Sequence, residues 1–300
     1  MNIIVFGGTG FFGRAFVREL QKNPANNVSL VVRNINSKLE GCQCVDYSEG
    51  HLLSLGGDKF DQAFDFSSHV SVDDFFTDPQ KAFLENLEIP IKNIKFLNQL
   101  EFSGRYVYIS TDRAVLDISD SDFISDLRIP NDPYGASKLI GEMIARYSFS
   151  FNVGFTSIVR FPNLYGPEQT SKQLIPTIAD RIKNGVSEIE LGSLLGSRNY
   201  LYISDAVNAL IKLINSQEIE SEICFSGRNY KIGDILEIIK TICIERFGYT
   251  PKFVARTSDS KRSFFQAPPS IMDDIVFREK YSWFPKVDMR EGLLLTLEDS

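Results

Sequence analysis

Along the first two-thirds of the chain, short apolar runs alternate with longer segments in which apolar residues recur every three or four positions. IIVF (Ile3–Phe6), VSLVV (Val28–Val32), AFDF (Ala63–Phe66), RYVYIS (Arg105–Ser110) and FTSIVRF (Phe155–Phe161) predict strands. Phe11–Lys22, closed by NPANN, and the segments Lys81–Leu100 and Tyr134–Tyr147 predict helices. Near-continuous apolar strands separated by helices predict an α/β fold, a doubly wound parallel sheet covered on both faces. Beyond Pro162 the alternation loosens: Gln173–Asn184, Asp205–Asn215 and Ile232–Phe247 read as helices, and Arg256–Ser270 as a polar loop. No internal repeat, low-complexity tract or long linker separates this part. It is therefore expected to pack on the sheet as a smaller lobe. The expected division is 1–165 for the sheet domain, joined by 199–226, and 166–300 mostly for the smaller lobe.

Composition narrows the classes. The chain has 300 residues, enough for a sizeable core, with 43% hydrophobic and 24% charged residues, ordinary for a globular protein. A net charge of −7 argues against a nucleic-acid or anionic-membrane binder, both of which want excess Lys and Arg. The opening MNIIVFGG has no basic n-region or small-residue cleavage site, so no secretory leader is expected. No apolar run approaches the ~18 residues of a membrane span. Cys42, Cys44, Cys224 and Cys243 lack paired C-x-x-C spacing and read as reduced thiols of a cytoplasmic protein. With only His51 and His69 present, neither a histidine triad nor a multi-histidine metal site is expected.

Directly after the first strand comes GGTGFFG, with Gly7, Gly10 and Gly13 spaced G-x-x-G-x-x-G and Phe11 and Phe12 between the last two. Glycines between a strand and a helix allow a tight turn and let backbone N–H groups approach a pyrophosphate at the helix N-terminus. This is a dinucleotide-binding signature. The end of the second strand chooses the dinucleotide: an acid bonds the ribose of NAD, an arginine accommodates the 2′-phosphate of NADP. Here VVRN places Arg33, followed by Lys38, and Arg14 past the glycines adds a further cation. NADP(H) is expected over NAD(H), although Asn34 can also bond a ribose.

PYGASKLIGE sets Tyr134 and Lys138 at i and i+4, on one face of a helix. A tyrosine titrates near ~10 when free, and a lysine ammonium one turn away is expected to lower that value. Such a phenol can exchange a proton with a hydroxyl or carbonyl as hydride moves. The strand YISTDRAV supplies a hydroxyl from Thr111, beside Asp112 and Arg113.

With these motifs the chain resembles the short-chain dehydrogenase/reductase superfamily, in its extended, nucleotide-sugar-modifying branch. The resemblance runs nearly end to end, through GGTGFFG, STD, YGASK, RFPNLYGP (Arg160–Pro167), SRNYLYISDAVNAL (Ser197–Leu210) and YSWFPKVDMREGL (Tyr281–Leu293). It implies a Rossmann-type sheet with a smaller C-terminal substrate-binding lobe. It also implies catalytic roles for Thr111, Tyr134 and Lys138, with Asp112 as a further catalytic candidate. Gly7, Gly10, Phe11, Phe12, Gly13, Arg33, Ser67, Tyr134, Lys138 and Phe161 fall at cofactor positions. Asn163, Arg198 and Arg262, with Thr111, fall at positions that hold a nucleoside-diphosphate sugar. Asp46 is open between a place near the adenine and a solvated loop. Relatives pair through the helices at Lys81–Leu100 and Tyr134–Tyr147, so a homodimer is expected, with Phe83, Leu87 and Ile94 as candidate contacts.

Three reactions share this machinery in the branch: 4-epimerisation, reduction of a 4-keto sugar and 4,6-dehydration. Dehydratases often carry Thr-Asp-Glu, the Asp as acid and the Glu as base. Arg113 cannot be that base, since its pKa exceeds ~12. Some dehydratases use Asp-Lys there, so dehydration stays open. YGASKLIGE fits 4-keto-sugar reductases, whereas RFPNLYGPEQ and SRNYLYISD fit epimerases and dehydratases. Because a consumed cofactor is commonly NADPH, Arg33 puts reduction first. Epimerisation and dehydration are the alternatives, and a non-catalytic cofactor-binding regulator is a minor one.

Overall fold

The computed structural model describes residues 1–37, 39–55, 59–69, 74–114, 130, 132–150, 154–170, 173–192, 194–216, 220–256 and 274–298. The expected strands and helices form. They are β1 (Asn2–Phe6), α1 (Phe11–Leu20), β2 (Asn27–Val31), β3 (Gln43–Val45), α2 (Glu49–Leu55), β4 (Gln62–Asp65), α3 (Asp74–Thr77), α4 (Pro79–Gln99), β5 (Arg105–Thr111) and, after a 3-10 turn at Asp112–Ala114, α5 (Pro133–Ser150) and β6 (Phe155–Phe161). There follow β7 (Asn163–Tyr165), α6 (Leu174–Lys183), β8 (Glu188–Leu191), β9 (Ser197–Tyr202), α7 (Ile203–Ile214), β10 (Glu222–Cys224), β11 (Arg228–Lys231), α8 (Ile232–Phe247), β12 (Lys252–Ala255), α9 (Ile275–Tyr281) and α10 (Met289–Glu298).

Seven strands form one parallel sheet in the order β3-β2-β1-β4-β5-β6-β10. Side chains alternate between its faces. Ile3, Val5, Phe64, Val107 and Val159 join one apolar cluster with Phe16 of α1 and Leu210 of α7. Ile4, Ala63, Tyr106, Tyr108 and Ile158 join a second with Ile94 of α4 and Ala145 of α5. Both faces are thus covered, which is why these strands read as apolar runs rather than as polar–apolar alternations. Strand order reverses between β1 and β4, so the turns after Phe6 and Asp65 diverge and open a crevice at the carboxyl ends.

The later chain builds a β11-β9-β7 sheet and a parallel β8-β12 pair. Buried Asp205 at the start of α7 accepts the Lys286 and Val287 N–H groups at 3.0 Å each, and Trp283 Nε1 donates to its carbonyl at 3.2 Å. The short strands β3 and β7 to β12 are absent from the sequence reading because three to six residues carry too little periodicity. The Arg256–Ser270 loop lies, except for Arg256, outside the described residues.

Candidate active site

The glycine turn sits at the sheet reversal. Gly7 has φ +71°, and a Cβ there would come 2.8 Å from the Ser67 N at the end of β4. A Cβ at Gly13 would fall on the Gly7 carbonyl oxygen and 2.9 Å from the Gly8 Cα. Glycine at these two positions therefore lets α1 and the β4 loop close on the turn. Gly10 caps α1 without a side-chain hydrogen bond to the first-turn N–H groups, leaving that positive helix end for a pyrophosphate. The turn fits a dinucleotide. Phe12 packs edge-on against Phe66 and Phe161, each with ring centroids 5.0 Å away, and buried Phe161 stacks on Phe225 at 4.9 Å.

Of the cations expected around the end of β2, Arg33 and Arg14 are described, and Arg14 is paired elsewhere. Arg33 is exposed there, but Arg14 Nε lies 3.2 Å from Glu168, which also takes Arg18 at 2.7 Å. Arg14 faces that acid because it lies one helical turn into α1, on the side toward the β7–α6 loop. Lys38 lies outside the described residues. Asn34 accepts the Asn36 N–H at 3.0 Å. Asp46 is tied within its own loop to Ser48 N and to the His51 ring, both at 2.8 Å, and these hydrogen bonds hold its carboxyl well below the usual range.

Across the crevice, β5 delivers Thr111 at its carboxyl end. Thr111 Oγ1 is 3.1 Å from an Asp112 oxygen and accepts the Arg113 N–H at 3.3 Å. Arg113 Nε donates to Asp132 at 2.9 Å, and the same buried carboxylate accepts the Gly135 N–H at 3.0 Å in the first turn of α5. A Cβ at Gly135 would fall on the Arg113 carbonyl oxygen. The 3-10 turn and the start of α5 are thereby locked together, bringing Thr111, Asp112 and Tyr134 to one end of the sheet.

The charge around Tyr134 differs from the sequence expectation. Its pKa is pushed up to about 12 by burial, and Asp132 and Asp112 add to the rise. The cation that opposes the rise is Arg113, whose guanidinium lies 5.7 Å from the Tyr134 ring centroid. Lys138 instead donates to the Tyr108 hydroxyl at 3.0 Å and the Ile109 carbonyl at 2.9 Å, beneath the site. An i,i+4 spacing sets the two residues on one helix face but does not aim the ammonium at the phenol. Burial pulls the Lys138 pKa down to about 8, against the pull of Asp65 and Glu142.

Ser67 lies in the β4 loop, bonded through N and Oγ to Asp65 and through Oγ to Asn93 Nδ2 at 2.8 Å. On the smaller lobe, Asn163 Nδ2 donates to the Asn199 carbonyl at 2.9 Å, and partly buried Arg198 stands on β9 opposite Tyr230. β7 and β9 place these two in one small sheet. Arg262 lies outside the described residues. Three further residues belong to the site without having been singled out from sequence. Asp132 caps the Tyr134 helix, Ser68 bonds the Tyr134 hydroxyl, and Asp65 is fully buried. The acid inside the apolar run AFDF was the legible signal for Asp65.

Residues 3–233 match the family described as "NAD dependent epimerase/dehydratase family". The chain belongs to this family. Its members are NAD-dependent enzymes, and the extended short-chain dehydrogenase/reductase branch expected from the motifs is the one found. Similar curated proteins include the dTDP-D-glucose 4,6-dehydratase of Dictyostelium discoideum, 27% identical over 272 residues, 79% of this chain and 59% of that protein. The chain thus spans less than two-thirds of that relative's length. The dTDP-glucose 4,6-dehydratase of Escherichia coli is 25% identical over 342 residues, covering 99% of this chain and 92% of that one. Among solved structures, UDP-glucose 4-epimerase of Thermotoga maritima superposes with a TM-score of 0.81 at 22% identity, over 100% of this chain and 98% of that one. UDP-glucuronic acid 4-epimerase of Bacillus cereus, in complex with UDP-glucuronic acid and NAD, gives 0.82 at 20%, with the same coverage. At these identities the two structures establish the fold alone. No helix among the described residues is long and apolar enough to cross a membrane.

Proposed function

We propose that this protein is a nucleotide-sugar 4-epimerase that removes a hydride at C4 of a nucleoside-diphosphate sugar and returns it to the other face. The observation that carries the reading is the fate of Arg113. Dehydratases with Thr-Asp-Glu take the C5 proton with a base at this position, and the side chain here is a guanidinium, no such base, held on Asp132. With that base absent, one acid–base pair remains, which is what epimerisation requires. A bound nicotinamide dinucleotide supplies the hydride acceptor. Tyr134 exchanges the proton of the sugar hydroxyl, Thr111 bonds the same oxygen, Lys138 provides positive charge under the site, and Asp112 lines it. Asn163, Arg198 and, on sequence alone, Arg262 are proposed to hold the diphosphate, the cations as bidentate partners. The proposed division keeps 1–165 with 199–226 for the cofactor and 166–300 mostly for the sugar nucleotide.

Reduction of a 4-keto sugar is the second reading, favoured by exposed Arg33 and its fit to a 2′-phosphate. It has lost ground. Arg33 stands without Arg14, the family is NAD-dependent, and an enzyme that returns its hydride retains its cofactor. NAD is therefore proposed ahead of NADP. One experiment separates the readings: identify the nucleotide released from the denatured protein, then supply UDP-, dTDP-, GDP- and CDP-sugars and their 4-keto forms. Epimerisation predicts a co-purifying NAD and a product of unchanged mass without added cofactor. Stoichiometric NADPH loss with keto sugars alone would replace it with reduction, and loss of water with dehydration.

A homodimer through α4 and α5 is also proposed, but on different residues from those expected. Phe83, which packs on Phe75 of α3, and Leu87 are half-buried, and Ile94, 3% exposed, joins the core beneath the sheet. The outward stripe is Leu84, Ile91, Met143 and Tyr147, each more than half exposed. Light scattering should give twice the chain mass, and Leu84→Glu with Met143→Glu should give a folded monomer. A monomeric wild type would refute the pairing. The four cysteines are free thiols, in keeping with the cytoplasm proposed as the setting.

A further inference from the structure

Beneath the active site, on the α4/α5 side of the sheet, lies a polar layer that the acid–base chemistry above does not use. Asp65, at the end of β4, has no exposed surface. It accepts from the Tyr106 hydroxyl at 2.6 Å, Asn93 Nδ2 at 2.8 Å, Ser67 N at 2.9 Å and Ser67 Oγ. Asn93 is itself held by the Tyr47 hydroxyl at 2.5 Å. Four donors converge on this carboxylate. All four are neutral, and among the described residues no ion pair reaches this carboxylate.

Lys138, 2% exposed, poses the complementary problem. Its ammonium touches two neutral oxygens, the Tyr108 hydroxyl and the Ile109 carbonyl. Asp65 is the register partner of Tyr108 across β4 and β5, so the carboxylate and the hydroxyl that receives the ammonium are neighbours on one face. Gly141 of α5 leaves the room in which the Tyr108 hydroxyl sits, since a Cβ there would fall on it. The titratable groups acting on Lys138 are Tyr108 from β5, Asp65 from β4 and Glu142 from α5. Of the two acids that draw protons onto Lys138, Glu142 is already neutralised by the guanidinium of Arg160. Asp65 is left.

We propose that Asp65 is the buried counter-ion of Lys138, a positioning residue whose charge keeps that lysine a cation under the site. Through Ser67 the same carboxylate also holds the β4 loop against the glycine turn. A cation at position 138 therefore depends on a residue 73 positions away that carries no part of the tyrosine–lysine signature.

The proposal rests on reading Lys138 as the cation of the site, but its test needs no sugar and stands apart from the reaction assigned above. The protein is labelled with 13Cε-lysine, the Lys138 resonance is assigned by its loss in Lys138→Arg, and its titration is followed by NMR. In Asp65→Asn, Lys138 should titrate at least about one pH unit lower than in wild type, a tenfold loss of proton affinity. Tyr106→Phe removes a donor but keeps the charge and should leave the titration within about 0.3 unit of wild type. An unmoved Lys138 in folded Asp65→Asn overturns the proposal. If that variant fails to fold, Asp65→Ala with Tyr106→Phe removes the acid together with a donor and is read in the same way. If neither folds, the wild-type Asp65 carboxyl decides: ionised at pH 7 supports the pair, and protonated at pH 7 overturns it.

Discussion

Tyr134→Phe is expected to lower kcat by about 10²–10⁴-fold with KM changed only a few-fold, the range that a positioned general acid–base contributes. The substitution removes the phenol oxygen and leaves the ring, which packs on Phe75 at 5.8 Å and under Arg113 at 5.7 Å. Circular dichroism and nucleotide content should therefore match wild type. The pH profile adds a signature. Burial holds Tyr134 near 12, so its phenolate fraction, and with it sugar oxidation, grows with pH below that value. Lys138, pulled to about 8, discharges over the same rise and opposes it. The wild-type rate should climb with pH up to about 8, the lysine value, and level off above it, and Tyr134→Phe should lack the climb. A variant with wild-type kcat would remove Tyr134 from the chemistry and favour a non-catalytic cofactor binder.

Arg160→Met should be the most destabilising single change in the sheet domain, by about 3–5 kcal/mol, the cost of stranding one partner of a buried pair. Arg160 Nε donates to Glu142 at 2.8 Å, a second nitrogen bonds the other Glu142 oxygen, and a third reaches Glu222 at 2.8 Å. Glu142 is 2% exposed, so without Arg160 its carboxylate keeps the desolvation cost and loses its partner. The arrangement clamps α5, which carries Tyr134 and Lys138, to β6 and the edge strand β10. Urea unfolding of folded variants is the measurement. Adding Glu142→Leu to Arg160→Met should recover most of the loss, because it removes the stranded charge. Equal loss in the single and double variants would assign the effect to packing instead of charge.

Much of this protein is set locally. Each buried parallel strand needs both faces apolar, so the five long strands and the helices between them are legible as runs and periods. The glycine turn is legible because Gly7 and Gly13 meet backbone within a few residues along the chain or at the adjoining strand end. Tyr134 and Lys138 are legible because helical geometry puts them on one face whatever surrounds them. What the ammonium touches was decided elsewhere: β5 brings Tyr108 and the Ile109 carbonyl beneath α5, and β4 brings Asp65 beside them. Arg14 was assigned to the cofactor pocket by its closeness to the glycines, whereas packing turned it to Glu168, 154 residues later. Phe83, Leu87 and Ile94 show the same limit, since a helical stripe has a period but no label for which neighbour it meets. Periodicity and spacing determined the elements and the chemistry they carry, because both act over a few residues. Charge environments, ion-pair partners and the outward helix faces waited on the tertiary structure, because they depend on which distant strands and helices the fold makes neighbours.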